Sequence, residues 1–196
     1  MVKKKIAVLV SGGGTNLQAI LDAQDSGIIK SGEVAAVISD KPGVYSLERA
    51  KKYGVPAYVC DKKALGSKEK FEEEAEKILE ENNIDLIVLA GFLTVLSERF
   101  VKKYKIINVH PSLIPSFCGD GFYGLKVHEA ALQKGVKVTG ATVHFVNEIT
   151  DGGEIIMQKA VEVKENDTPE VLQKRVMEEA EWIILPLSVE KICKSV

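Results

Sequence analysis

The sequence predicts an α/β fold: a doubly wound, mostly parallel sheet covered by helices, with an antiparallel addition at its C-terminal end. Three observations carry that prediction. Short apolar runs alternate with helical patterns as far as residue 110, which calls for crossover connections and a parallel sheet. The run at 6–10 is continuously apolar and that at 84–90 is apolar apart from Asp85, as expected of strands buried on both faces. Between 138 and 163, two β-rich runs follow one another with turn-forming residues and no helix between them, the mark of an antiparallel pair.

In chain order, Ile6-Ala7-Val8-Leu9-Val10 is the first strand, bounded by lysines and by Ser11-Gly12-Gly13-Gly14. Leu17, Ile20 and Leu21 then recur at helical spacing, with Thr15 or Asn16 suited to be the N-cap. A second strand spans 34–40, a helix runs from about 46 to 53 and stops at Gly54, and a weaker strand covers 56–60. Residues 68–81 form a long charged helix whose buried stripe is Phe71, Ala75 and Ile78. The strand at 84–90 runs into Gly91-Phe92, a short helix lies within 93–104, and a fifth strand covers 106–110. Residues 112–124 form a loop rich in Pro, Gly, Phe and Tyr, too long for a mere connector. A helix over 125–133 stops at Gly135, and strands cover 138–146 and 154–163. Thr168 caps a last helix with Pro169 at its first position, which runs towards Leu185-Pro186. No repeat or linker interrupts the chain, so 1–196 is read as one domain.

Bulk composition narrows the function. The 196 residues are 45% hydrophobic, enough for a sizeable core. Lys+Arg at 26 against Asp+Glu at 28 leaves a formal charge of −2, which argues against a general nucleic-acid binder. Cys60, Cys118 and Cys193 are odd in number, widely spaced and without a C-x-x-C. A disulfide framework or structural zinc is not expected, no metal is called for, and a reducing cytoplasm fits. The apolar run after the three N-terminal lysines is too short for a signal segment or membrane span. The expected protein is soluble and cytoplasmic, without a membrane partner.

Chemistry concentrates at predicted strand ends. Alternation puts Asn108 and His110 on one face of the fifth strand, a pairing suited to hydrogen bonding and proton transfer. Satisfied polar groups at a loop entrance are the competing reading. The glycine turn offers backbone N–H groups and a helix N-terminus to an anion. It lacks the Gly-Lys-Ser/Thr of a Walker loop, and Leu17 stands where a dinucleotide fingerprint needs its third glycine. Asp40 keeps a nucleotide reading barely alive; a terminal phosphate monoester is the better match, against a turn made only for tight packing. Thr142 and His144 share a face of the strand after Gly140, although a lone histidine there is usually structural. In Asp151-Gly152-Gly153 the glycines allow tight or positive-φ backbone, and Asp151 either makes the turn or orients an imidazole. One amide, two imidazoles and a carboxylate suit acyl transfer. With no serine in a nucleophile elbow and no Cys/His arrangement, direct transfer without an acyl-enzyme is favoured.

These residues resemble the phosphoribosylglycinamide formyltransferases of de novo purine synthesis. The resemblance rests on Val10-Ser11-Gly12-Gly13-Gly14-Thr15-Asn16-Leu17-Gln18-Ala19-Ile20, Leu89-Ala90-Gly91-Phe92, Ile107-Asn108-Val109-His110-Pro111-Ser112-Leu113, the segment 140–146 and Asp151-Gly152-Gly153. It implies the Rossmann-like formyltransferase fold and attack of a substrate amine, that of glycinamide ribonucleotide, on the formyl group of 10-formyltetrahydrofolate. Asn108 would stabilise the oxyanion and His110 would act as general acid. Asp151 would hold His110 charged, and His144 would support them. Gly13, Gly14, Thr15 and Asn16 would cradle the substrate phosphate, with Glu181 contacting the substrate from the last long helix. Lys68, Leu93, Thr94, Val95, Leu96, Asn108 and the turn Asn147, Glu148, Ile149, Thr150, Asp151 would border the folate.

The chain departs from the family pattern in four places: Thr94 where an arginine is frequent, Lys68 as a point charge rather than a fork, an aromatic-rich loop at 116–124, and one extra residue around 178–181. A homodimer is compatible with this reading. The nearest alternative is a formyltetrahydrofolate hydrolase, with water in place of the amine, but the chain keeps the phosphate cradle. A methionyl-tRNA formyltransferase would need a further basic domain. A non-catalytic nucleotide-binding module would leave Asn108, His110 and Asp151 unexplained.

Overall fold

The computed structural model of the protein describes residues 2–195. Its strands are β1 (Lys4–Val10), β2 (Gly32–Ser39), β3 (Ala57–Val59), β4 (Leu86–Leu89), β5 (Ile106–His110), β6 (Val138–Phe145) and β7 (Ile155–Glu162). They form one sheet in the order β3-β2-β1-β4-β5-β6-β7. β1 to β5 pair in parallel, and β6 runs antiparallel to both β5 and β7. The doubly wound sheet with its antiparallel addition is therefore the observed fold. β1 lies between β2 and β4, so the winding direction reverses there and a crevice opens at the carboxyl ends of the strands. Ser11 bridges that crevice: its N–H donates to Gly91 O at 3.2 Å and its Oγ accepts from Leu93 N at 2.9 Å.

The helices are α1 (Thr15–Asp25), α2 (Tyr45–Lys52), α3 (Lys62–Leu65), α4 (Lys68–Glu81), α5 (Glu98–Lys103), α6 (Leu125–Lys134), α7 (Pro169–Val176) and α8 (Trp182–Lys194). They cover both faces because the side chains of β1 alternate. Ile6, Val8 and Val10 pack with Leu17, Ile20, Leu185 and Val189 on one face. Ala7 and Leu9 pack with Phe71, Ala75 and Phe100 on the other. Phe71 is fully buried, and truncating such a residue to alanine costs about 3–5 kcal/mol. The helix predicted over 68–81 has those bounds, with Phe71, Ala75 and Ile78 buried and Ser67 capping the Lys70 N–H. No helix among the described residues is long and apolar enough to cross a membrane.

Four features differ from the sequence reading or sharpen it. The N-cap of α1 is Gly14, in the left-handed region at φ 73°, rather than Thr15 or Asn16. A Cβ at Gly14 would lie 2.6 Å from Ser46 Cβ, so only glycine lets the start of α1 press against α2. Because no side chain caps α1, its first N–H groups stay available to a ligand. In the turn after β6, Asp151 itself takes the positive φ of 55°. Gly153 is needed because a side chain there would overlap the Phe145 carbonyl. Nor does the last helix end near Pro186: α7 passes through a π turn (Met177–Glu181) into α8, which contains Pro186. A π turn holds one residue more than an α turn without ending the helix, the form that the extra residue expected around 178–181 would take. Finally, α3 was not anticipated; it is one turn long and buries no residue.

Candidate active site

The register of β5 against β6 places Asn108 opposite His144, and His110 opposite Thr142. Asn108 Nδ2 lies 3.3 Å from His144 Nε2, while His144 Nδ1 lies 2.8 Å from the Phe145 carbonyl. A carbonyl accepts only, so the ring proton sits on Nδ1 and Nε2 accepts from the amide. His144 thereby fixes the amide and leaves its second N–H for a ligand. Thr142 has a different task. Its hydroxyl donates to Ser112 O at 2.7 Å and accepts from Ile114 N at 3.1 Å, fastening the chain where it leaves β5.

Asp151 lies between the two imidazoles, with Oδ2 at 3.4 Å from His110 Nδ1 and Oδ1 at 3.6 Å from His144 Nε2. Gly119 N–H donates to Oδ2 at 2.9 Å. Burial raises the Asp151 carboxyl, but the adjacent His144 ring, the Gly119 N–H and the His110 imidazole outweigh it, leaving the group below its ordinary value. For His110 the balance goes the other way. Burial pushes its imidazole below the ordinary value, against the raising effects of Asp151 and of the Phe117 carbonyl at 2.8 Å from Nε2. Family resemblance implies an Asp151 that holds His110 charged. Here burial wins, so at neutral pH His110 is neutral, donates from Nε2 to Phe117 and keeps a lone pair on Nδ1.

These groups open on a cleft of about 600 Å³. It is lined by Leu93, Thr94, Val95 and Leu96, by Asn147, Glu148, Ile149 and Thr150, and by residues 119–124. Asn16 and Glu181 line it as well. Asn16 Nδ2 donates to Glu181 Oε2 at 2.7 Å. Full burial raises the Glu181 carboxyl to about 7, with the Asn16 bond opposing. Asn16 Oδ1 is buried without a partner, an acceptor waiting for a donor. Gly13 is exposed, Gly14 and Thr15 half-buried, at the start of α1. Thr94, although it borders the cleft, donates to buried Asp40 at 2.8 Å and ties that wall to the exit of β2. Lys68, the first residue of α4, is not among the lining residues, and among the described residues no lysine or arginine is.

Several site groups are absent from the sequence reading. The Phe117 carbonyl and Gly119 N–H are backbone groups of a loop, and residue identity does not reveal them. His128 on α6 lines the cleft, fully buried, with both ring nitrogens unpartnered. Burial, and then the nearby His110, lower it to about 4. Its helical spacing from Ala131, on the buried side of α6, was a usable signal. Gln173 and Met177 also line the cleft from α7 and the π turn.

A strand-end amide held by one imidazole, with a carboxylate beside a second, lies at the carboxyl edge of a doubly wound sheet, where such folds bind ligands. Residues 4–188 match the formyl transferase family. A trifunctional purine biosynthetic protein adenosine-3 of Gallus gallus is 45% identical over 97% of this chain, which spans 18% of that longer protein. A phosphoribosylglycinamide formyltransferase of Haemophilus influenzae is 40% identical over 95% of this chain and 86% of its own length. Glycinamide ribonucleotide transformylase 1 of Symbiobacterium toebii superposes with a TM-score of 0.91 at 42% identity, covering 98% of this chain and 89% of that one. The chain belongs to the formyl transferase family, in its phosphoribosylglycinamide formyltransferase branch.

Proposed function

We propose that the protein transfers the formyl group of 10-formyltetrahydrofolate to the amine of 5'-phosphoribosylglycinamide. The products are formylglycinamide ribonucleotide and tetrahydrofolate, in de novo purine (IMP) biosynthesis. The observation that carries this reading is a single cleft reaching from Asn108, His110 and Asp151 to Asn16 and Glu181. One cavity thus offers reactive groups to the formyl donor and further polar groups to the ribonucleotide. The names of the Haemophilus influenzae and Symbiobacterium toebii relatives support the same substrate.

The amine nitrogen attacks the formyl carbon, and the carbonyl electrons move onto oxygen. Asn108 donates its free amide N–H to that oxyanion, the kind of fixed donor that acyl transfer needs. His110, neutral at rest, takes the proton lost by the amine on Nδ1, directly or through water, and Asp151 stabilises the imidazolium so formed. The carbon–N10 bond then breaks, the oxygen electrons reform the carbonyl, and His110 returns the proton to the folate nitrogen. The N–H groups at the start of α1 hold the phosphate, while Asn16 Oδ1 and Glu181 accept hydrogen bonds from the ribonucleotide. The pterin end lies along Leu93–Leu96 and the 147–151 turn. This reading takes residues 1–196 as one formyltransferase domain with small-molecule substrates, working in the cytoplasm and using no metal.

The test is to incubate the protein with 10-formyltetrahydrofolate, with and without glycinamide ribonucleotide, and to follow tetrahydrofolate release. Release that requires the amine supports the proposal. Release without it would indicate a hydrolase, and no release under either condition would leave only a binding module.

A further inference from the structure

We infer that Arg49, half-buried on α2, is a positioning residue that aims the backbone donors of the glycine turn at the substrate phosphate. The inference rests on the proposed phosphorylated substrate and assigns a task to a residue outside the catalytic set. Two carbonyls of the turn are held from behind by α2. Gly12 O accepts from Ser46 N at 3.2 Å, and Gly13 O accepts from Arg49 Nε at 2.8 Å. In a planar trans peptide the C=O of one residue and the N–H of the next point in opposite directions. Drawing both carbonyls towards α2 therefore turns the N–H groups of Gly13 and Gly14 away from it, on the outer side of the turn where α1 begins. The left-handed conformation of Gly14 completes that arrangement, since successive N–H groups in a turn containing a left-handed residue form an anion-binding concavity.

The guanidinium is built into place. Arg49 Nη1 donates to Gln18 Oε1 at 2.8 Å, so one side chain ties the turn to the first full turn of α1. Its plane is supported by the Tyr45 ring, 4.8 Å from the guanidinium carbon. A Cβ at Gly14 would meet Arg49 Cδ at 3.4 Å as well as Ser46, so the arginine stem packs directly behind the donor peptide. The two bonds leave the planar fork in a single orientation. Charge matters too: among the described residues no lysine or arginine lines the main cleft, while Arg49 is a cation in hydrogen-bond contact with the cradle backbone. It supplies positive potential without occupying the space a phosphate needs.

The experiment compares wild type with Arg49→Ala and Arg49→Lys in steady-state kinetics, each substrate varied in turn, with inorganic phosphate as an inhibitor. Loss of a charge-assisted bond of this kind corresponds to about a tenfold rise or more in KM for the phosphorylated amine. With Arg49→Ala that rise is expected alone, with kcat and the KM for the folate cosubstrate kept within about twofold. Inorganic phosphate should inhibit the wild type competitively against the amine and inhibit this variant more weakly by a similar factor. Arg49→Lys keeps the charge and one donor, so its KM should fall between the two. An unchanged amine KM in Arg49→Ala would overturn the inference. So would equal losses for both substrates, which mean general damage to the fold. A wild type without transfer activity but with phosphate binding weakened by Arg49→Ala would reject the reaction and keep the positioning role.

Discussion

Asp151 Oδ2 stands 3.4 Å from His110 Nδ1, and the same oxygen accepts the Gly119 N–H at 2.9 Å. Two residues earlier in that loop, the Phe117 carbonyl holds the other ring nitrogen of His110 at 2.8 Å. A single loop therefore positions both members of the proton-handling pair. Asp151→Asn keeps an oxygen for Gly119 and nearly the same shape, so the fold should survive. The charge that stabilises the imidazolium is lost, and kcat should fall by about 10²–10⁴-fold. Steady-state rates with thermal melts on the same samples check this; near-normal turnover removes Asp151 from the mechanism.

Asn108 is held by His144 with one amide hydrogen free. Asn108→Ala deletes the proposed oxyanion donor and should lower kcat by about 10²–10³-fold. The substrate KM values should change far less, because the interaction is made in the transition state. A loss confined to KM would place Asn108 in ground-state binding instead.

His110 begins the cycle neutral, its imidazole lowered by burial against the pull of Asp151. Activity at saturating substrate should therefore persist on the alkaline side and decline as the pH falls through a midpoint below the ordinary value of 6.5. A pH profile of kcat reads this directly. An acid midpoint above that value would show that Asp151 dominates after all.

Glu181 is fully buried and raised from 4.5 to about 7. The folded state then binds this proton more tightly than the unfolded state, so its contribution is fully present below about 4.5 and is lost as pH rises through about 7. Over that window the wild type should lose about 3 kcal/mol that Glu181→Gln retains. Melting both proteins at pH 5 and pH 8 tests the sign: the variant should gain on the wild type only at the higher pH.

Much of this was legible before any coordinates. The strand at 106–110 and the helix at 68–81 were readable to the residue because apolar runs and a Phe71-Ala75-Ile78 stripe are local signals. The π turn over 177–181 is not legible in the sequence, since packing on both sides decides whether a helix widens there. Gly14 rather than Thr15 caps α1 because Ser46, far along the chain, leaves no room for a side chain. The contacts of Phe117 and Gly119 escape a sequence reading for a similar reason: they are backbone groups brought to His110 and Asp151 by the path of a loop.

Lys68 begins α4 and is not among the residues that line the cleft. Lys68→Ala should leave the KM for 10-formyltetrahydrofolate within about twofold of wild type, as expected of a surface change away from the ligand. A larger rise would bring α4 into contact with the folate tail.

Direct transfer from folate nitrogen to substrate amine is read out by following the formyl carbon itself. With 10-formyltetrahydrofolate labelled at that carbon and glycinamide ribonucleotide present, the label should appear on the ribonucleotide amide, matching the tetrahydrofolate released. Label recovered as free formate while the amine remains unmodified would contradict the account.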